Sequence, residues 1–234
     1  MTGTSQYRHQ LASAARFRDA ETFNERGLML KVWGRTNSIN VQKVMWLVGE
    51  LDLEHERVDV GGPFGGLDQP DYVVMNPTSR IPTIDDDGFT MWESHAIVRY
   101  LAAKYASGSW CPSNAPDRAR ADQWMDWSYN GVYQNLIAAF LGLYRTPEDE
   151  RDNDVISKAL HICGRELRVL DSHLGSRQFV LGDEISMGDI PIGCITYRWY
   201  AMDIERPYLP HLESWYARLQ ERPAFREHAM IPLA

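Results

Sequence analysis

The chain has 234 residues, of which 44% are hydrophobic and 24% charged, as expected for a globular protein that buries a core of ordinary size. Its 24 basic and 32 acidic residues give a formal net charge of −8, which disfavours nucleic acid as a partner. The longest apolar run, residues 136–144, is too short to cross a bilayer, so we expect no membrane-spanning segment.

The first 28 residues differ in composition from the rest of the chain. They mix arginines with acidic side chains and contain no apolar segment, which argues against a secretory signal. We interpret residues 1–28 as a loosely attached extension that precedes the first structural element, with Met29 as the functional start.

Residues 29–107 have the pattern of an α/β domain. Apolar residues of helical spacing follow a short strand, and Asp-Gly between two apolar strands is a strong sign of a hairpin. The predicted elements are a strand at 29–34, a helix at 41–51, a strand at 55–60, a glycine-rich loop at 61–66, a helical turn at 71–75, strands at 83–84 and 89–92, and a helix at 97–105.

The remainder of the chain has only helical patterns. A segment rich in Ser, Pro, Asn and Gly at residues 108–116 marks the boundary, so we predict domains at 29–107 and 117–234. The predicted helices cover residues 117–144, bent at Gly131, and residues 154–174, 185–202 and 209–222. The predicted fold class is therefore a small α/β domain followed by an all-helical domain.

The cysteines and histidines show no pattern typical of a metal site. Cys111, Cys163 and Cys194 are far apart, odd in number and form no Cys-x-x-Cys pair, which predicts neither a disulfide framework nor a zinc site. The histidines also lack the spacing of metal ligands, so we predict no metal. Cysteine usage of this kind fits a reducing, cytoplasmic location.

Residues 80–94 combine an unusual proline with a charged helix start. Pro82 lies among strand-forming residues although it cannot donate to a ladder, and a cis bond after Ile81 would turn the Ile81 N–H and C=O outward, towards an extended peptide. Ser94 is a good N-cap candidate, and the helix that it opens would offer N–H groups to a carboxylate, while Glu93 would hold an ammonium. A free α-amino acid carries a carboxylate and an ammonium group on one carbon. This segment is therefore typical of a site that binds the amino-acid end of a ligand. A trans proline, a purely capping Ser94 and a solvated Glu93 are the alternatives.

The segment Arg80-Ile-Pro, followed by a hairpin and Glu93-Ser-x-Ala-Ile97, resembles the glutathione transferase superfamily. The resemblance extends over residues 29–230 and implies a thioredoxin-like first domain with an all-α second domain. It further implies that Ile81, before a cis Pro82, pairs its backbone with the cysteinyl part of glutathione. By the same resemblance Glu93 and Ser94 hold the γ-glutamyl end, and Arg80 contacts the glycyl carboxylate or a neighbouring group.

The turn after the first strand, Gly34-Arg-Thr-Asn-Ser-Ile-Asn-Val-Gln42, contains no cysteine, so the reactive sulfur must belong to the ligand. No tyrosine occurs between residues 29 and 60, and Ser38-x-Asn40 is similar to the helix entry of theta-like and nu-like members. This resemblance implies Ser38 Oγ as the main donor to the thiolate and Asn40 as a second donor. Asn37, also a candidate glutathione contact, and Thr36 are alternatives, and Ser38 or Asn40 as a mere helix cap is another.

The helical domain offers aromatic side chains and one capping pattern. Trp127, Tyr133 and Phe140 are candidates for an apolar pocket that receives the second substrate, although core packing or a dimer surface is the favoured interpretation for most aromatic residues of this helix. Ser186-x-x-Asp189 before an apolar run is a capping-box pattern. We assign it to stability alone, with about 1 kcal/mol lost if the carboxylate is removed.

The resemblance implies an enzyme that uses glutathione as co-substrate and acts as a homodimer in the cytoplasm, with neither nucleic acid nor membrane as a partner. The glutathione thiolate would attack a small electrophile or a disulfide, and the sequence leaves conjugation and disulfide reduction open. A non-catalytic binding module on the same fold is the remaining hypothesis.

Overall fold

The computed structural model describes residues 29–233, and the predicted extension at residues 1–28 lies outside the described residues. The α/β part consists of β1 (Leu30–Trp33), α1 (Ile39–Glu50), β2 (His55–Val58), a 3₁₀ turn (Gly62–Phe64), α2 (Pro70–Met75), β3 (Thr83–Asp86), β4 (Phe89–Trp92) and α3 (Ser94–Tyr105). Every element expected between residues 29 and 107 is thus present, with ends that differ by a few residues.

The sheet of the first part has four strands in the order β2-β1-β3-β4 among the described residues. β1 pairs in parallel with β2 and antiparallel with β3, and β3 pairs antiparallel with β4. Val32 and Ile84 face each other across the centre of the sheet, and neither side chain is exposed to solvent. This mixed sheet with flanking helices confirms the predicted thioredoxin-like class.

The hairpin between β3 and β4 has the geometry that its sequence predicts. Asp87 and Gly88 both have positive φ, at 62° and 81°. A two-residue type I′ hairpin turn requires positive φ at both positions, and it matches the right-handed twist of the strands. The Gly88 N–H donates to the Asp85 carboxylate at 2.7 Å, which fixes the turn. The hairpin therefore places β4, and the helix that follows it, at a defined point beside the chain reversal at Pro82.

The second part is helical, as predicted. It contains α4 (Ala115–Trp127), a π-helical segment (Ser128–Tyr133), α5 (Gln134–Tyr144), a 3₁₀ turn (Glu148–Glu150), α6 (Asn153–Leu174), α7 (Asp189–Ala201), α8 (Pro210–Gln220) and α9 (Pro223–His228). In residues 29–233 there is no helix with the length and apolar character needed to cross a membrane.

The predicted bend at Gly131 is a π-helical segment. Such segments widen a helix by one residue per turn and occur frequently at functional sites. Here the segment separates α4 from α5 and contains Tyr129 and Tyr133, whose rings stack with centroids 5.4 Å apart. The irregular turn thus presents two tyrosines side by side.

The third predicted helix begins at Asp189 and not at residue 185. Ser186 and Asp189 form the reciprocal capping contacts: the Ser186 N–H donates to the Asp189 carboxylate at 3.0 Å, and the Gly188 N–H donates to Ser186 Oγ at 3.2 Å. The Asp189 carboxylate and the Ser186 hydroxyl thus hold residues 186–188 in a turn, and the helix begins after it.

The two parts share one continuous core. Trp46 of α1 has no solvent exposure, and its ring meets Phe225 of α9 edge-on with centroids 4.6 Å apart. Its indole N–H donates to Glu50 Oε1 at 2.7 Å, and the guanidinium of Arg222 binds both oxygens of that carboxylate at 2.7 and 2.6 Å. These contacts join α1 to the C-terminal helices and hold the two parts in a fixed arrangement.

We expect replacement of Gly193 by alanine to lower the free energy of unfolding by about 1–3 kcal/mol, because overpacking forces neighbouring elements apart. A Cβ at this position would lie 2.5 Å from the ring of Trp46 and 2.9 Å from Leu219. Urea unfolding measures the loss. Gly164→Ala is the matched control, since its Cβ would meet nothing nearer than Pro207 at 3.5 Å. The control should be neutral or more stable by up to about 1 kcal/mol, and equal losses in both variants would contradict the expectation.

Candidate active site

A cleft of about 490 Å³ lies between the two parts of the molecule. From the α/β part it is lined by residues of the chain before β3 and by the start of α3, together with Asn40 of α1. From the helical part it is lined by side chains of α4, the π-helical segment and α5. The predicted site residues Asn40, Arg80, Ile81, Pro82, Glu93, Ser94 and Tyr133 all lie in its wall.

The Ile81–Pro82 peptide bond is cis, as expected. β3 begins only at Thr83, so Ile81 lies just outside the ladder. Within residues 29–233 the N–H and C=O of Ile81 have no hydrogen-bond partner, although the side chain is half-buried. Buried or half-buried backbone groups are normally paired, so Ile81 offers one donor and one acceptor to an extended ligand in the cleft.

A polar network holds the chain immediately before the cis bond. The hydroxyl of Tyr72 and the amide of Asn76 both donate to the Arg80 carbonyl, at 2.6 and 2.8 Å. The same Asn76 amide donates to Thr83 Oγ1 at 2.9 Å and its oxygen accepts the Thr78 N–H at 3.0 Å. The network fixes the Arg80 backbone, while the Arg80 side chain is exposed and, in the described part of the chain, makes no ion pair.

Glu93 occupies the N-cap position of α3, and Ser94 is the first helical residue. This corrects the expectation that Ser94 is the N-cap, because the backbone of Glu93, with φ 73° and ψ 109°, already departs from the helix. A positive φ is uncommon for a residue with a side chain and costs about 1–3 kcal/mol, so it occurs mainly where a site requires it. The exposed Glu93 carboxylate and the free N–H groups of α3 therefore meet at the cleft.

Ser38 lies at the N-cap position of α1 with an extended backbone, at φ −84° and ψ 120°. Its hydroxyl does not cap the helix, and in residues 29–233 it has no hydrogen-bond partner. The side chain is half-buried. Asn40 is the residue of this turn that lines the cleft wall, whereas Ser38, Asn37 and Thr36 do not. The carbonyl of Asn37 accepts a long hydrogen bond, 3.5 Å, from Arg198 of α7.

The side chain of Asn40 is held by a cluster that joins the buried Lys43 to two residues of the cleft wall, His95 and Tyr133. Lys43 Nζ lies 3.0 Å from Asn40 Oδ1 and 3.0 Å from His95 Nε2, and 4.6 Å from the centroid of the Tyr133 ring. Burial lowers the pKa of Lys43 to about 8, and burial together with the adjacent Lys43 charge lowers the pKa of His95 to about 2. At neutral pH, His95 is therefore the neutral acceptor and Lys43 the charged donor.

The aromatic residues predicted for the second-substrate pocket separate into two groups. Tyr133 lines the cleft, whereas Trp127 and Phe140 do not line it. Trp127 packs against Trp124, with centroids 5.1 Å apart, on the other side of the π-helical segment. Phe140 lies two turns beyond Tyr133, where it is 6% exposed and its ring lies 4.5 Å from the guanidinium of Arg198. Both are packing residues, the alternative that the sequence left open.

Several cleft residues were not predicted. They come from the helical part and from α3: His95, Arg99, Asp126, Tyr129, Asn130, Gln134 and Ile137. Arg99 is paired with two carboxylates, Asp122 at 2.6 Å and Asp126 at 2.5 Å. The spacing of the tyrosines at 129 and 133 and of Ile137, each four residues apart, is the signal in the sequence that assigns them to one helix face.

Comparison with known proteins yields a consistent set of relatives. The family model "Glutathione S-transferase, N-terminal domain" matches residues 28–103, and "Glutathione S-transferase, C-terminal domain" matches residues 132–223. Glutathione S-transferase GstB of Escherichia coli K12 is 37% identical over 208 residues, which is 88% of this chain and 100% of that protein.

A solved structure covers nearly the same span. The theta class glutathione S-transferase of Xanthomonas axonopodis pv. citri, with glutathione bound, is 43% identical, and the match covers 89% of this chain and 100% of that one with a TM-score of 0.85. Glutathione S-transferase 3 of Zea mays is 29% identical, over 87% of this chain and 95% of the maize protein. With both domains matched, in their expected order, the chain belongs to the glutathione S-transferase family, whose members are transferases that use glutathione as co-substrate.

Proposed function

We propose that the cleft binds glutathione and activates its thiol for attack on a small electrophile. The observation that carries this proposal is the unpartnered backbone of Ile81, within residues 29–233, in the same cleft as Glu93 and the start of α3. In this arrangement Ile81 pairs with the cysteinyl residue of glutathione. Glu93 holds its α-ammonium, and the N–H groups that begin at Ser94 hold its α-carboxylate.

The two ends of the tripeptide orient the sulfur towards the start of α1. With the γ-glutamyl end at Glu93, we propose that Arg80, a cation in the wall of the same cleft, binds the glycyl carboxylate. The cysteinyl side chain then faces Asn40 in the cleft wall and Ser38 beside it. We propose Ser38 Oγ as the main hydrogen-bond donor to the thiolate, Asn40 Nδ2 as the second, and Asn37 as a further contact of the tripeptide.

Hydrogen bonding alone supplies enough energy for activation. A free thiol has a pKa of about 8.5, so only a few per cent is thiolate at neutral pH. A hydrogen bond to a charged acceptor contributes about 1.5–3 kcal/mol, and one pKa unit corresponds to about 1.4 kcal/mol. One good donor therefore lowers the thiol pKa by about one to two units, which makes the thiolate the main form at neutral pH.

The wall opposite the sulfur is suited to a small electrophile. Tyr129, Tyr133 and Ile137 supply apolar surface, and Asn130 and Gln134 supply amide groups. Conjugation forms a bond from sulfur to an electrophilic carbon and expels the leaving group with the electron pair of the broken bond. The aromatic surface of this wall supports conjugation as the primary reaction.

Reduction of a disulfide is the alternative reaction of the same thiolate. The thiolate would attack one sulfur, release the other as a thiolate and form a mixed disulfide, which a second glutathione resolves. The cysteines at positions 111, 163 and 194 are all buried, at 3%, 0% and 0% exposure, so no protein thiol is placed for this step in residues 29–233. This pathway needs room for a second tripeptide in the cleft.

The function is tested by retention on immobilised glutathione, followed by turnover assays with a chlorinated arene and with a small disulfide. Retention with turnover of the arene supports conjugation, and preferential turnover of the disulfide shifts the assignment to reduction. A protein that neither binds the matrix nor turns over either substrate would be a non-catalytic module, and the proposal would be wrong.

We further propose that the protein acts as a homodimer in the cytoplasm and that residues 108–116 divide its two domains, 29–107 and 117–234. Large apolar side chains are exposed on the α/β part, including Phe64 at 56%, Val74 at 85% and Phe89 at 49%. Exposed apolar side chains of this kind favour a protein partner, and a second copy of the chain is the simplest one. Sedimentation velocity at micromolar concentration tests this, and a monomer would contradict it.

Replacement of Glu93 by alanine is expected to weaken glutathione binding about ten- to a hundredfold with little change in kcat. The carboxylate contributes a charge-assisted hydrogen bond of about 1.5–3 kcal/mol to the α-ammonium of glutathione. Because this group is remote from the reacting sulfur, the bond is equally strong in the ground state and in the transition state. Calorimetry and the KM for glutathione measure the effect. Glu54→Ala, which removes another exposed carboxylate of the same domain, is the control. A fall in kcat with unchanged KM would contradict the assignment.

A further inference from the structure

Lys43 of α1 is fully buried, with 0% of its side chain exposed. Lysine is almost never buried unless it is paired with an opposite charge. Among residues 29–233, however, Lys43 forms no ion pair with a carboxylate, and its partners are the Asn40 amide oxygen, the His95 ring and the face of the Tyr133 ring. All three are neutral, so the protein itself leaves the positive charge uncompensated.

The groups around Lys43 add positive charge and very little negative charge. Arg198 of α7, 6% exposed, is a second buried cation, and both cations act on the buried Cys194 thiol, whose pKa burial raises to about 12. The carboxylate that acts on Lys43 is that of Glu93, which is exposed and forms no ion pair with Lys43 in the described part of the chain. Two buried cations behind one cleft wall favour an anion in that cleft.

The same lysine determines which atoms of Asn40 face outward. An ammonium only donates, so Lys43 fixes the Oδ1 end of the amide as the acceptor and leaves Nδ2 as the end directed at the cleft. Asn40 Nδ2 donates to the Tyr133 hydroxyl oxygen at 3.2 Å, and the hydroxyl proton of Tyr133 then remains free to donate elsewhere. The chain of contacts from Lys43 to Asn40 to Tyr133 therefore turns donors, rather than acceptors, towards the ligand.

We propose that Lys43 is a positioning residue of the thiolate site: it orients the Asn40 amide and the Tyr133 hydroxyl as donors to the glutathione sulfur and places a buried positive charge behind them. The inference rests on the proposed function, since it concerns the same sulfur. His95 supports Lys43 from α3 as a neutral acceptor, and the charge of Arg99, which lies beyond His95, is already paired with Asp122 and Asp126. The thiolate becomes the missing counter-ion of Lys43.

The test measures the thiol pKa of enzyme-bound glutathione. The ultraviolet absorbance of the thiolate, recorded across a pH series, gives this pKa. The wild-type protein should hold a thiol whose pKa lies below that of free glutathione. In Lys43→Met this pKa should rise by about one unit or more, that is, at least a tenfold loss of thiolate at a given pH below it. Lys43→Gln, which keeps a neutral donor to Asn40, should show a smaller rise, and it carries the test if the methionine variant does not fold.

Two controls separate this role from a structural one. Lys31→Met removes an exposed lysine of β1, 48% exposed at its side chain and 3.4 Å from Glu56, and should leave the bound thiol pKa unchanged. In a double-mutant cycle, Lys43→Met and Asn40→Ala should be non-additive in the thiol pKa, because one side chain acts through the other. A loss of stability in Lys43→Met, seen as a lower melting temperature, would not by itself make the two effects on the thiol pKa non-additive.

The outcomes that overturn the inference differ from those that overturn the function. If the wild-type protein binds glutathione with an unshifted thiol pKa, the proposed activation and the role of Lys43 are both wrong. If the wild-type pKa is lowered but folded Lys43→Met and Lys43→Gln proteins retain it, the function stands and the role of Lys43 is wrong. Additive effects of Lys43→Met and Asn40→Ala would likewise exclude positioning through the amide.

Discussion

Replacement of Ser38 by alanine is expected to lower turnover about ten- to a hundredfold while glutathione affinity changes by only a few fold. The Ser38 hydroxyl has no partner among residues 29–233, so its donor is free for a ligand. Loss of a hydrogen bond to a charged sulfur costs about 1.5–3 kcal/mol, and the cost falls on the thiolate and not on the peptide backbone contacts at Ile81. Steady-state kinetics with saturating glutathione, and calorimetry for binding, separate the two quantities.

The control for this variant is Ser113→Ala, which removes an exposed hydroxyl at the boundary segment and should change neither turnover nor binding. Asn40→Ala provides the comparison within the site. If Ser38→Ala retains full turnover while Asn40→Ala loses it, the donor role belongs to Asn40. The wall position of Asn40, which Ser38 does not share, makes this comparison decisive for the assignment.

The sequence predicted those parts of the site that depend on neighbouring residues. Ile81-Pro82, the Asp-Gly hairpin and the helix start at Glu93 are local features, because turn chemistry, proline geometry and helix N-terminal preferences act over a few residues. The error at Ser94 is of the same local kind: the positive φ of Glu93 moved the N-cap by one position, and a residue with a side chain gives no sign of such a backbone in its identity alone.

The sequence did not predict the contacts that cross between elements. Asn40 and Tyr133 are 93 residues apart, and Lys43 and His95 are 52 residues apart. A lysine in an apolar helical face is ordinarily read as a side chain whose charged end reaches solvent, and only the packing of α1 against α3 and α7 shows that Lys43 cannot do so.

The tyrosine of the site shows the same limit. The absence of tyrosine between residues 29 and 60 argued against a tyrosine donor, yet the π-helical segment brings Tyr133 from the second domain to within 3.2 Å of Asn40. The choice between Tyr133, Trp127 and Phe140 depended on that one irregular turn. Because π-helical segments have no strong composition, the sequence indicated a bend at Gly131 but not which aromatic side chains the bend turns towards the cleft.

Replacement of Asp189 by alanine is expected to lower the free energy of unfolding by about 3–5 kcal/mol, well above the 1 kcal/mol of an ordinary cap. The carboxylate has no solvent exposure, and it accepts hydrogen bonds from the Val180 N–H, the Ser186 N–H and hydroxyl, and the Trp215 indole, at 3.0 to 3.3 Å. Burial raises its pKa to about 6, so at neutral pH it is mainly ionised and can accept from all of them.

Alanine would leave the buried donors of Val180, Ser186 and Trp215 without a partner, at about 1–3 kcal/mol for each unsatisfied group. These donors belong to the loop before α7 and to α8, so the loss disconnects two elements and not merely one helix end. Urea unfolding at neutral pH measures it, with Asp183→Ala, an exposed carboxylate in the same loop, as the control. A loss no larger than that of the control would contradict this expectation, because buried donors left unpaired must lower the free energy of unfolding.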